Sequence, residues 1–192
     1  TGNIASGKSM ISGMLQEHGA AVLDADLVGK SVLAENVEGA LEQVRAAFGD
    51  SIFDGNQLNR HLLGNLVFGH PDLLMKLNDI MMPIMTRLVA CEITVLHRTS
   101  TVVVLDAAIL IEASWQSLVD EIWVVKASKD EQLKRLMTRD HLARDEAVSR
   151  IEAQMPLVQK LAYADVVIDN TMDVEQTQKQ VEMLWKTRIQ NR

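Results

Sequence analysis

Four short runs of apolar, largely β-branched residues punctuate the chain: AAVLDAD at 20–26, TVVVLDAA at 101–108, EIWVVKAS at 121–128 and ADVVIDN at 164–170. Each is nearly continuous rather than alternating, which is the pattern of a short strand buried on both faces. Between and around them apolar residues recur at helical spacing, at about 37–48, 58–68, 71–97, 129–139, 144–154 and 173–190. A further helix is predicted from Ser9 to His18, where Met10, Ile11, Met14 and Leu15 share one face and Gly19 offers a left-handed C-cap. Strand, helix, strand in this order predicts an α/β fold, a parallel sheet with helices on both faces. Residues 27–100 read as a wholly helical insert capping one edge, and Pro83 is expected to kink or split its longest helix. Ser128-Lys129-Asp130-Glu131 has the form of a capping box opening the helix at 129–139. No repeat or low-complexity linker interrupts the pattern, so residues 1–192 read as one domain.

Ahead of the first predicted helix stands Gly2-Asn3-Ile4-Ala5-Ser6-Gly7-Lys8-Ser9, which fits G-x-x-x-x-G-K-[ST]. Glycines at both ends of this pattern let successive backbone N–H groups curl around phosphate oxygens, the lysine reaches the β- and γ-phosphates, and the serine holds Mg²⁺. Gly2 through Ser9 are therefore candidate ATP ligands, and Ser9 a candidate metal ligand. Such a loop normally follows a strand that fixes the direction of its entry. Only Thr1 precedes Gly2. The N-terminal strand thus reads as missing: about five to seven apolar, β-branched-rich residues are expected ahead of Thr1. The strands beginning near Ala20 and Thr101 are expected to flank the slot it would fill.

Composition narrows the partners. A net charge of −7 and a pI near 5.2 argue against broad nucleic-acid or anionic-membrane binding, so a positive site has to be local. Cys91 is the one cysteine, which excludes an intrachain disulfide and fits a reducing compartment, cytoplasmic or mitochondrial. No apolar run reaches the roughly 18 residues of a membrane span.

In an open α/β sheet, ligands gather at the carboxyl ends of the strands. Asp24 and Asp26 close the first apolar run and Asp106 the second. A carboxylate there can accept the proton of an attacking hydroxyl or orient Mg²⁺, and phosphoryl transfer uses both kinds of group. Asp24 or Asp26 can equally serve as a cap for the next helix. A cationic stretch, QLKRLMTRDHLARDEAVSR at 132–150, suits a lid over a triphosphate, spanning about 129–154; Arg135 and Arg139 stand out by leading into its turn. Interleaved with acids, the same residues also fit an ordinary solvated helix face.

Taken together, Gly2–Ser9, VLDAD, VVLDAAILIEASW, RLMTRD and ADVVIDN resemble dephospho-coenzyme A kinase along essentially the whole chain. The stretches AFGDSIFDGNQLNRHLLGNLVFG and LNDIMMPIM are similar to the kinase domain of the animal-type bifunctional coenzyme A synthase. The resemblance implies a P-loop NTPase-like fold with a helical acceptor-binding insert and a short lid. It implies transfer of the ATP γ-phosphate to the ribose 3′-hydroxyl of dephospho-coenzyme A, with Mg²⁺. Asp26 matches the family's general base, Lys8 and Ser9 the phosphate and metal ligands, and Arg139 a lid arginine; Asn170 falls in the loop expected near the adenine. Arg60 lies in the segment used around the acceptor, as Asp24 and Asp26 do at the strand end, and Asp106 joins Ser9 as a metal candidate. A fused phosphopantetheine adenylyltransferase domain is the implied partner upstream. Two positions depart from the bacterial pattern: Met82-Pro83 stands where His-Pro is usual, and Ala108 where proline is. The competing readings are another P-loop small-molecule or nucleoside monophosphate kinase, an inactive nucleotide-binding module, and a GTPase switch, for which Asn170-Thr171-Met172-Asp173 faintly echoes N-K-x-D.

Overall fold

The computed structural model describes residues 1–67 and 69–190. In chain order, α1 (Lys8–Glu17), β1 (Ala21–Asp24) and α2 (Ala25–Ala34) lead into α3 (Ala40–Phe48). The short strands β2 (Phe53–Asp54) and β3 (Gln57–Leu58) follow, then α4 (Arg60–Val67) and α5 (Pro71–Leu96). The remainder runs β4 (Val103–Asp106), β5 (Trp123–Lys126), α6 (Lys129–Asp140), α7 (Arg144–Glu152), α8 (Leu157–Leu161), β6 (Val166–Asp169) and α9 (Val174–Leu184), closing in a π-helical turn, Trp185–Gln190. These residues form two compact units, one of Thr1–Asp24 with the chain from Ile93 onward, the other Ala25–Glu92.

The first unit is built on parallel pairing. β1 runs beside β4 with Ala21 opposite Val103 and Asp24 opposite Asp106, and β5 beside β6 with Trp123 opposite Val166 and Lys126 opposite Asp169. The 20–26 and 101–108 runs therefore pair directly, so the expectation that they flank an open slot is wrong. Order across a parallel sheet is set by how crossovers return, which neighbouring positions in the sequence do not reveal. The opening lies instead between β4 and β5. There the Thr1 amine donates to the Trp123 carbonyl at 2.9 Å, the Val125 N–H donates to the Thr1 carbonyl at 2.8 Å, and Gly2 bridges Val125 in parallel sense. Thr1 and Gly2 thus start a parallel ladder on β5. Alongside lies a cavity of about 310 Å³ whose walls include Leu15, Val102, Val104, Leu105, Ile122 and Trp123.

Helices α1 and α9 cover β5 and β6 through Ile11, Leu15, Val125, Ile168, Val181 and Trp185, all buried. Each such aliphatic side chain contributes about 1.5–3 kcal/mol when removed from water. Helix α1 stops in a Schellman turn: the Gly19 N–H donates to the Gln16 carbonyl at 2.9 Å and the Ala20 N–H to the Leu15 carbonyl at 3.1 Å. At α6 half of the expected capping box forms, the Ser128 hydroxyl accepting the Glu131 N–H at 3.2 Å. The other half is replaced, because Glu131 is drawn to Arg135 at 3.0 Å and the Ser128 N–H turns to the Thr171 hydroxyl at 3.1 Å.

The second unit has its own core of Val44, Ile52, Leu63 and Val67. It is not wholly helical as read from the sequence. Asp54-Gly55-Asn56-Gln57 closes a small antiparallel hairpin in which Phe53 faces Leu58, a turn signal masked by the helical periodicity on either side. Helix α5 continues through Pro83 without a break. A proline removes one N–H from the ladder, and the burial of Met81, Ile84 and Met85 on both sides of it holds the helix across that loss. The strand expected over 20–26 ends at Asp24, so Asp26 lies in the first turn of α2, where the helix dipole favours a carboxylate. Phe68, the last residue of the helix expected at 58–68, lies outside the described residues.

Candidate active site

The phosphate-loop sequence turns sharply between β5 and α1, and its glycines are dictated by close approach. A Cβ on Gly2 would sit 2.4 Å from the Val125 carbonyl oxygen, and one on Gly7 only 1.9 Å from the Asn170 amide nitrogen. Gly7 also has φ of 93°, and Ala5 holds a left-handed φ of 57° without a glycine's freedom. Bonds to the loop carbonyls hold that shape. Arg135 Nη1 donates to the Ala5 and Ser6 carbonyls at 3.2 and 3.3 Å, and the Asn170 amide donates to the Ser6 carbonyl at 2.7 Å. Arg135 Nη2 closes the set on the Asn170 carbonyl at 2.9 Å, while the Thr177 hydroxyl fixes the Asn170 amide by donating to its oxygen at 2.9 Å.

With its carbonyls engaged outward, the loop delivers α1 with Gly7 as an N-cap that makes no side-chain capping bond. The first N–H groups of a helix have no partner within it, and together with the dipole they form an anion site. Lys8 donates to Asp106 Oδ1, and the Ser12 hydroxyl donates to Asp106 Oδ2 at 2.8 Å. Asp106 is only 4% exposed, so this lysine and hydroxyl are what make its ionised form tolerable. Parallel register brings Asp24 alongside Asp106 at the carboxyl ends of β1 and β4. Ser9 is exposed at the mouth of the loop.

Beside the loop a second cavity, about 360 Å³, is lined by Ala5, Gly7, Lys134, Arg135, Thr138 and Arg139. Arg139 is largely exposed and forms a two-pronged pair with Asp140 at 2.7 and 2.8 Å. That hydrogen bond raises the Arg139 pKa and lowers that of Asp140 below the usual carboxylate range.

The first unit therefore brings together Gly2–Ser9, Asp24, Asp106, Arg135, Arg139 and Asn170. Asn170, expected near an adenine, has its side chain buried beneath the loop. Asp173, the supposed guanine reader, instead N-caps α9 by accepting the Gln176 N–H at 2.8 Å. In the second unit, Asp26 is exposed on α2, and exposed Arg60 donates to the Lys30 carbonyl at 2.6 Å. Four participants escaped the sequence reading. Ser12 was legible, since it lies one helical turn after Lys8. Thr177, Gln154 and Lys160 were not, because only tertiary packing carries them to the site. Fully buried Lys160 pairs with Glu112 at 2.8 Å and donates to the Ala108 carbonyl at 2.5 Å, bracing the turn after Asp106 at the position where proline is usual.

A sequence profile of the family described as dephospho-CoA kinase matches residues 1–176. A dephospho-CoA kinase from Carboxydothermus hydrogenoformans is 45% identical over 183 residues, 94% of this chain and 88% of that protein. One from Geobacter metallireducens is 40% identical over 192 residues, covering 99% and 95%. Among solved structures, a Thermus thermophilus protein superposes with a TM-score of 0.81 at 30% identity, covering 97% of this chain and 94% of its own. A dephospho-CoA kinase from Campylobacter jejuni, 22% identical, shares the fold with a TM-score of 0.72 over 99% and 95%.

The loop geometry separates Gly7 from Gly13, its neighbour on α1. Gly7→Ala is expected to displace Asn170, cost about 1–3 kcal/mol of stability and abolish nucleotide binding. Gly13→Ala, at a helical site with open space around its Cβ position, should gain about 0.5–1 kcal/mol and leave binding intact. Thermal melts with a fluorescent ATP analogue check both.

Proposed function

The chain belongs to the dephospho-CoA kinase family, and on that premise we propose that it transfers the γ-phosphate of ATP to the ribose 3′-hydroxyl of dephospho-coenzyme A, giving coenzyme A and ADP. The observation that carries this is the phosphate loop itself, its carbonyls tied outward by Arg135 and Asn170 and Lys8 held on Asp106 at its mouth. Phosphoryl transfer asks a protein mainly for positioning and for charge stabilisation. The N–H groups opening α1 and Lys8 would bear on the β- and γ-phosphates, Lys8 exchanging its bond to Asp106 for one to the nucleotide. Arg139, largely exposed and paired with the carboxylate next to it in the chain, would turn toward developing charge. Asp26 would take the proton of the acceptor hydroxyl, and Asp24 and Arg60 would contact the acceptor.

Mg²⁺ fits the donors present. Among the described residues no group of three or more His, Cys, Asp or Glu could cage a metal. Mg²⁺ bound with a nucleotide needs less, usually one or two hard oxygens beside the phosphates. The Ser9 hydroxyl and the Asp106 carboxylate are of that kind and would hold it. When bound, the ion would neutralise charge on the β- and γ-oxygens.

The curated relatives are bacterial proteins, matched over 88%, 95% and 91% of their length in the first three cases, and so lend no support to a fused phosphopantetheine adenylyltransferase domain, to an animal-type origin or to a mitochondrial site. A cytoplasmic site accords with them. Among the described residues no helix is long and apolar enough to cross a membrane. A GTPase reading loses its motif now that Asp173 is a helix cap.

Coupled detection of ADP with dephospho-coenzyme A as acceptor tests the assignment, and transfer only to nucleoside monophosphates would overturn it. Lys8→Ala is expected to lower kcat by at least about 100-fold, since one preorganised donor at such a site is worth about 3 kcal/mol, and to lower Tm as well, because buried Asp106 loses its cation. In the same assay Asp26→Asn should reduce kcat by about 10²–10⁴ with little change in either KM. If Asp24→Asn proves the more damaging, the two carboxylates exchange roles.

A further inference from the structure

The bonds to the phosphate loop differ in kind. Arg135 and Asn170 donate to its carbonyls. Gln154 does the opposite: its side-chain carbonyl Oε1 accepts the backbone N–H of Ile4 at 2.6 Å. One residue on, the Met155 carbonyl accepts from the Asn3 side-chain amide at 3.2 Å. Both acceptors lie just after α7, at the end of the segment read as a lid. The same segment meets the loop through apolar side chains, for Ile4 and Ala5 pack against the cluster of Leu133, Leu136 and Ala147 from α6 and α7. Helices α6 and α7 are thus seated on the outer side of the loop, with two hydrogen bonds at one end and an apolar patch between.

We infer that Gln154 is a positioning residue that sets the phosphate loop for ATP, by occupying the Ile4 N–H with a neutral acceptor and so tying the loop to α7. A loop N–H is the kind of group a phosphate oxygen would claim, and it can serve one good acceptor at a time. Holding the Ile4 N–H outward keeps the loop's curvature constant while the N–H groups at the start of α1 remain available. It also makes the seating of α6 and α7, which carry Arg135 and Arg139, depend on the shape of the loop. The neutrality of the acceptor matters as well. A carboxylate in its place would accept the same N–H more strongly, but would put a negative charge on the loop that has to receive a triphosphate.

This rests on the kinase reading, and the experiment separates the two failures because wild-type turnover is measured in the same assay. The wild-type chain is compared with the substitutions Gln154→Glu and Gln154→Asn, each followed by thermal melting and by KM for ATP and for dephospho-coenzyme A. Gln154→Glu preserves the length and the acceptor, so Tm should stay within about a degree or two, small against the several degrees that a 1 kcal/mol loss produces. KM for ATP should rise about tenfold, the equivalent of 1.4 kcal/mol, in a manner relieved by lower pH, while KM for the acceptor stays put. Gln154→Asn, one methylene too short to reach Ile4, should raise KM for ATP and also lower kcat several-fold. A purely structural bond would give the reverse pattern, with Gln154→Glu indistinguishable from wild type and Gln154→Asn losing Tm with normal kinetics. That result, or wild-type kinetics in both variants, overturns the inference. A wild-type chain inactive on dephospho-coenzyme A would overturn the kinase reading instead, leaving ATP-analogue binding by the two variants to decide the role of Gln154.

Discussion

A peptide loop can cradle an anion only if its carbonyl oxygens are turned away from the centre and kept there, and in this protein that duty falls on Arg135 and Asn170. Their donors hold the Ala5 and Ser6 carbonyls from behind the loop. Each is itself held: Arg135 by Glu131 and the Asn170 carbonyl, and Asn170 by Thr177. Backbone N–H groups and a few nearby cations are what a chain of net charge −7 can set locally against an anion. Gly7 is a consequence of this brace, since the Asn170 amide fills the space a Cβ would need.

The sheet supplies the second requirement, carboxylates beside the loop at a defined height. Parallel pairing of β1 with β4 aligns Asp24 and Asp106 at their carboxyl ends, and α1 returns Lys8 and Ser12, one turn apart, to the Asp106 oxygens. A buried carboxylate is expensive unless it is paired and hydrogen-bonded, so the three side chains form one unit. Buried Lys160 pairs with Glu112 and donates to the Ala108 carbonyl, fastening the backbone that follows Asp106.

Thr1 and Gly2 form a short parallel ladder on β5, and the cavity beside them is bounded on its far side by β4. The tie of α6 and α7 to the outer face of the loop adds apolar contacts and two hydrogen bonds.

Much of this was legible in one dimension. Continuous apolar runs announced the four parallel strands because burial on both faces removes alternation, and the glycine-lysine-serine spacing announced the loop because its geometry is local. Ser128 as a helix cap, Gly19 as a helix stop and the clustering of aspartates at strand ends are likewise properties of a few consecutive residues. Local rules mislead where packing overrides them: Pro83, expected to kink or split its helix, does not split it, and the turn at Asp54-Gly55 is masked by the helical periodicity around it. What only the tertiary structure decided is which strands are neighbours and what holds the loop from outside. The order of strands depends on the paths of distant crossovers, and the partners of Ile4, Ser6 and Asp106 lie 150, 164 and 98 positions away. No periodicity encodes pairs so far apart, because they meet only once the cores beneath them have formed.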